Sequence, residues 1–160
     1  MTSPLKTSGT KVVASPSRGP TKPLHRILVI EDDAIIRKLN ARVLAHSGYQ
    51  VDAAENGAIG WEALRTNNFD LLITDHDMPR LSGLELVKKA RSAHMTLPII
   101  LATGTLPEKE IERHPWLHIT ATLLKPFSSD QLLETVKKVL HPAYRTSIAL
   151  HAQAPITTAF

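Results

Sequence analysis

The stretch 71-LLITDHDMPRLSG-83 decides the reading of this chain. Four apolar or β-branched residues, Leu71 to Thr74, run straight into Asp75, His76 and Asp77, and a Met-Pro turn follows. A short apolar run bounded by turn residues reads as a buried strand. Carboxylates at the end of such a strand cap something or bind something. The choice depends on whether charged residues from elsewhere in the chain reach the same point.

Outward from this strand the same alternation repeats. The run 26-RILVI-30 ends in the acids 31-EDD-33. In 34-AIIRKLNARVLAH-46, Ile35, Ile36, Leu39, Val43 and Leu44 recur at helical spacing, and Gly48 ends the helix. The run 49-YQVDAA-54 is strand-like, and Asn56 caps a helix over 57–66. Ser82 opens an amphipathic helix over 82–93, and 98-PIILAT-103 is a buried strand. Residues 107–114 form a short helix with Pro107 at its first position. A strand over 118–124 and a helix over 128–140, opened by Ser128, complete the set. Five strand–helix units of this kind predict an α/β fold, a doubly wound five-stranded parallel sheet covered on both faces. Ligands of such sheets bind outside the carboxyl ends of the strands.

The bulk composition narrows the function classes. The chain has 160 residues, 42% of them apolar, which is enough for one domain with a core. It has no cysteine, so disulfides and thiol chemistry are excluded. No apolar run approaches the roughly 20 residues of a membrane span. Residues 1–25 lack the apolar block of a secretory signal, so a cytoplasmic protein is expected. The net charge of +4 resides in the ends. Five of the 19 basic residues and none of the 15 acids lie in residues 1–25 and 141–160, which leaves 14 against 15 in the body. This distribution argues against a nucleic-acid partner for the body. Residues 1–24 read as a disordered basic tail, 25–140 as the folded domain and 141–160 as a loosely packed tail.

Four of the five strands end in a reactive side chain. The first runs into Glu31, Asp32 and Asp33, the third into Asp75, the fourth ends in Thr103 and the fifth runs into Lys125. Parallel strands present their carboxyl ends at one edge, so Glu31, Asp32, Asp75, Thr103 and Lys125 face one cleft. Clustered carboxylates repel, and a hard divalent cation such as Mg²⁺, which takes oxygen ligands, relieves the repulsion. A carboxylate beside such an ion can attack phosphorus. The transferring phosphoryl group then needs positive charge and donors, which Lys125 and Thr103 can supply. Simpler readings stand beside this one. Asp33 lies inside the turn and reads as a helix cap, and Asp77 beside Met-Pro can be an ordinary turn acid. His114 and His118 do not share a helix face because Pro115 separates them, and His76 reads as a neighbour of the cleft.

Over residues 25–140 the chain resembles the response-regulator receiver domain of two-component signalling. The resemblance rests on ILVIEDD, LLITDHDMPRLSG, IILATG and LLKPF, in this order. It implies a flavodoxin-like (βα)5 fold with strand order 2-1-3-4-5. It also implies that Asp75 is the phospho-acceptor and that Glu31, Asp32 and Asp75 hold Mg²⁺, with the backbone carbonyl of Asp77 as a further ligand. Thr103 becomes the switch hydroxyl and Lys125 the phosphate-binding lysine, followed by a cis Lys125–Pro126 bond. The implied partners are a sensor histidine kinase or histidine phosphotransfer protein and an unidentified downstream protein. A weak homodimer through the fourth helix, fifth strand and fifth helix is a further expectation, and with no output domain after residue 140 the chain reads as a stand-alone receiver.

The sequence departs from the family pattern at Thr122, where relatives usually carry Tyr or Phe, and in its short fourth helix before 114-HPW-116. Two other hypotheses compete. A receiver fold used as an unphosphorylated scaffold is compatible with Thr122. A haloacid-dehalogenase-type phosphatase shares Asp-x-Asp at Asp75–Asp77. That family, however, places this motif near its start and its acidic pair last, the reverse of the order here.

Overall fold

The computed structural model describes residues 24–141 and 143. Apart from residues 24, 141 and 143, the two tails read from composition lie outside the described residues. The elements, in chain order, are β1 (Arg26–Ile30), α1 (Ala34–His46), β2 (Gln50–Ala54), α2 (Gly57–Thr66), β3 (Leu71–Asp75), α3 (Gly83–Ser92), β4 (Ile99–Thr103), α4 (Glu108–Arg113), a 3-10 turn (Pro115–Leu117), β5 (Ala121–Leu124) and α5 (Ser129–Leu140). The strands form one five-stranded sheet in the order β2-β1-β3-β4-β5, with every pair parallel. Among the described residues no helix is long and apolar enough to cross a membrane.

The apolar strands supply two cores because alternate side chains point to opposite faces. Leu28, Ile30, Leu72, Ile99 and Leu101 pack with Leu64, Leu84, Leu86 and Val87 of α2 and α3. Ile27, Val29, Leu71, Ile73 and Ile100 pack on the other face with Leu44, Leu132 and Val136 of α1 and α5. Every residue of β3 and β4 is buried, as expected of the central strands of a doubly covered sheet.

The helices begin where local chemistry says they should. Asp33 caps α1 by accepting from Ile35 and Ile36 N–H, and Asn56 caps α2 by accepting from Ile59 N–H. Ser82 and Ser128 each close a capping box, with Glu85 and Gln131 reaching back. Three of the differences from the sequence reading bear on the site and its surroundings. The predicted strand over 118–124 starts only at Ala121. The chain first makes the 3-10 turn, and His118 then takes a left-handed conformation at φ 44° that no strand accommodates. Pro107 stands at the N-cap of α4, outside the helix, and supplies no side-chain cap. Asp75 is itself the last residue of β3, so its carboxylate sits on the rigid sheet.

Candidate functional site

Register alone assembles the cleft. Ile30 pairs with Thr74, so Glu31, the next residue, stands beside Asp75. Asp75 pairs with Ala102, and Thr103 pairs with Leu124, so Thr103 and Lys125 follow on the other side. The ladder continues past the strand ends through Glu31 N–H to Ala54 O at 3.1 Å, His76 N–H to Ala102 O at 2.8 Å and Lys125 N–H to Thr103 O at 2.8 Å. The Lys125–Pro126 bond is cis.

Glu31, Asp32 and Asp75 each bring a carboxylate oxygen within 4.8 Å of the others. Glu31 and Asp75 are buried, each 3% exposed, while Asp32 is exposed. Lys125 Nζ lies 2.8 Å from Glu31 Oε2 and 3.2 Å from Asp75 Oδ2. The other Asp75 oxygen accepts the Asp77 N–H at 3.1 Å. Burial raises the Glu31 carboxyl above its ordinary value of 4.5, and the neighbouring Asp75 charge adds to this, against the pull of Lys125. Burial also disfavours the Lys125 ammonium, but its bond to Glu31 and the charges of Asp75 and Glu31 outweigh that and raise its pKa.

Three carboxylates against one ammonium leave a formal charge of −2 in a site that is two-thirds buried acid. This deficit, an all-oxygen donor set and an exposed Asp32 carboxylate fit a hard divalent cation such as Mg²⁺. Among the described residues this is the one grouping of three metal-ligating side chains. His114 and His118 join no such cluster, and His114 Nδ1 instead faces Glu110 O at 2.9 Å.

Several contacts of the site were not legible in the sequence. Arg37 donates through Nη1 to the carbonyls of Glu31 at 2.8 Å and Asp32 at 3.2 Å, which pins the acidic loop. A Cβ on Gly83 would stand 2.3 Å from Asp75 O, so only glycine lets the loop after β3 return so close. Thr103 is fully buried. Its hydroxyl faces Thr105 O at 2.7 Å and Asp77 Oδ2 at 3.3 Å, not Asp75. His76 sits beside the cleft with its Nδ1 buried and without a hydrogen-bond partner. A Gly in an "LSG" turn hints at close approach, but no sequence signal marks the targets of Arg37 or Asp77.

The family model of the response regulator receiver domain matches residues 27–137. Response regulator MprA of Mycobacterium sp. (strain KMS) is 35% identical over 117 residues, 72% of this chain and 50% of its own. The response regulator receiver protein CpdR of Brucella abortus is 33% identical over 122 residues, 73% of this chain and 98% of its own. The response regulator protein TrrA of Thermotoga maritima, solved with Mg²⁺-BeF, is 36% identical with a TM-score of 0.65, covering 73% of this chain and 100% of that one. The chain spans about half the length of several curated relatives, including transcriptional regulators such as DltR of Streptococcus agalactiae. The strand order, the acidic cleft and these matches agree, and the chain belongs to the response regulator receiver domain family.

Proposed function

We propose that Asp75 accepts a phosphoryl group from a phosphohistidine on a sensor histidine kinase or phosphotransfer protein, and that the modified cleft switches binding of a downstream protein in the cytoplasm. The observation that carries this reading is the buried Asp75 carboxylate, held at one oxygen by Lys125 and at the other by the Asp77 N–H, inside a triad of acids. A nucleophile fixed at the end of a sheet strand needs no reorganisation before attack.

In the transfer, an Asp75 oxygen forms a bond to phosphorus while the phosphorus–nitrogen bond of the donor breaks, and the imidazole keeps the electron pair. Glu31, Asp32 and the Asp77 carbonyl would hold Mg²⁺, which when bound offsets charge on the phosphoryl oxygens. Lys125 is positioned to exchange its Asp75 contact for a phosphoryl oxygen, and Thr103 to turn its hydroxyl toward another. Hydrolysis of the acyl phosphate returns the carboxylate. The donor protein has a landing surface beside the cleft. Ile35 and Leu39 of α1 are 79% and 53% exposed, next to a groove of about 400 Å³ lined by Ile36, Leu39, Lys125, Pro126 and Phe127.

The test is incubation of the purified chain with Mg²⁺ and acetyl phosphate, followed by mass measurement. An acid-stable, base-labile adduct on the parent that disappears in Asp75→Asn, with the fold intact, supports the assignment. An undiminished adduct in that variant moves the acceptor elsewhere. Absence of any adduct favours the unphosphorylated scaffold.

A further inference from the structure

We propose that the Asp77 side chain is an internal competitor for the phosphoryl group, holding in the resting state the donors that a phosphorylated Asp75 requires. The inference rests on the phosphoryl site proposed above and deepens it. The backbone carbonyl of Asp77 is a candidate metal ligand, whereas its carboxylate points to the β4 side of the cleft.

Four contacts define the latch. Asp77 Oδ2 accepts the Gly104 N–H at 3.2 Å, and the Thr103 hydroxyl stands 3.3 Å from the same oxygen. That hydroxyl also lies 2.7 Å from Thr105 O, while the Thr105 N–H donates back to it at 3.2 Å. A hydroxyl has one proton to give, so Thr103 is committed to Asp77 or Thr105 and has none for Asp75. Gly104 is small, and a Cβ there would only touch Asp77 Oδ2 at 3.9 Å, so its amide faces the carboxylate without obstruction.

An anionic oxygen therefore already accepts from the Gly104 amide and stands 3.3 Å from the Thr103 hydroxyl, the two donors nearest the end of β4. A phosphoryl oxygen on Asp75 would recruit the same Thr103 hydroxyl and Gly104 amide, both at the edge where Thr103 follows the Asp75–Ala102 pair. Both acceptors are anionic and cannot share one donor set at full strength. Phosphorylation must displace Asp77 before Thr103 turns, so Asp77 sets how much phosphoryl contact energy goes into switching. Asp77 is exposed, which limits the latch to a modest effect and lets the freed carboxylate move to water.

The test compares the parent with Asp77→Ala, which removes acceptor and charge, and Asp77→Asn, which keeps an acceptor and removes the charge. Beryllofluoride with Mg²⁺ stands in for the phosphoryl group, Mg²⁺ alone is titrated as control, and amide NMR reports binding and the exchange of Gly104. Asp77→Ala should bind beryllofluoride about fivefold more tightly, as one released hydrogen bond implies. Its Gly104 amide should exchange faster, and its Mg²⁺ affinity should match that of Asp77→Asn, which loses the same charge. Asp77→Asn should stay near the parent. Equal gains in both variants would assign the effect to charge alone and overturn the latch. So would a Gly104 amide in Asp77→Ala that exchanges no faster than in the parent. If the parent itself fails to bind beryllofluoride, the phosphoryl-site reading falls, and the Gly104 exchange still decides whether Asp77 holds the loop.

Discussion

Replacing Lys125 with methionine removes the one ammonium among three carboxylates and keeps the length of the side chain. Nζ lies 2.8 Å from Glu31 and 3.2 Å from Asp75, and both acids are nearly inaccessible to water. Taking one partner from a buried ion pair costs about 3–5 kcal/mol because the charge left behind is unpaired. Lys125 keeps 23% of its side-chain surface, so water compensates in part, and the lower end, about 3 kcal/mol, is expected without metal at neutral pH. The loss should shrink in acid. Glu31 is already raised above 4.5 by burial and by Asp75, and the variant removes the partner that opposes them. A carboxyl raised in the folded state holds a proton where the unfolded chain has released it. Its contribution is full below 4.5 and is lost as pH rises through the folded value, a window that widens in the variant. The formal site charge falls from −2 to −3, so Mg²⁺ should bind at least about tenfold more tightly and return about 1.4 kcal/mol more stability than in the parent at the same saturating concentration. Urea unfolding followed by circular dichroism, at pH 5 and 7.5, with EDTA or Mg²⁺, measures all three effects. A loss below about 1 kcal/mol that ignores both pH and Mg²⁺ would show that the three charges do not share one site.

Adjacent acids should behave oppositely. Asp33→Ala removes the α1 cap and should cost about 1 kcal/mol in urea unfolding with Mg²⁺ affinity retained. Asp32→Ala should lose most Mg²⁺ affinity in calorimetric titration without destabilising the metal-free chain. Gly83→Ala forces a Cβ against Asp75 O and should cost about 1–3 kcal/mol while shifting the amide resonances of 75–77, and unperturbed resonances would refute the close approach. Arg91 donates to the carbonyls of Met95, Leu97, Leu117 and His118, so Arg91→Ala should cost about 2–3 kcal/mol and speed amide exchange around residues 117–120.

The parts of this fold that were legible in sequence are those governed by a period or a cap. Buried parallel strands are apolar throughout, and the acids that interrupt them had to be strand ends, so Glu31, Asp32, Asp75, Thr103 and Lys125 could be gathered at one edge before any coordinates. Ser82, Ser128, Asp33 and Asn56 were readable because capping is local chemistry. The start of β5 was not. Ile119 and Thr120 suit a strand on propensity, but Pro115 and the left-handed His118 hold the chain in a turn until Ala121. The side-chain partners of Arg37, Asp77 and Arg91 were illegible for another reason. They are long-range or loop carbonyls and amides, and a carbonyl carries no residue identity for a pattern to show.

The same contacts bear on how a change at Asp75 leaves the site. At Thr122, where the resemblance leads to the expectation of Tyr or Phe, the chain carries no ring. The segment between Thr103 and Leu117 has firm ends and a weak middle. Thr103 and Leu117 are fully buried, and Arg91 grips Leu117 O at 2.8 Å. Between them α4 has six residues, buries none and has no side-chain cap. It is tied to the rest of the fold by the partly buried Ile111, packed against the core, and by the Lys88–Glu110 ion pair at 2.7 Å, about half exposed on the glutamate side. Such a pair is worth at most about 1 kcal/mol, whereas the buried ends are held by core packing. A pull on Thr103 therefore meets least resistance in residues 104–116. That segment ends at Trp116, 45% exposed, and the sheet edge beyond it carries Leu124, 56% exposed. A displacement of this short, lightly anchored helix would alter an apolar surface directly.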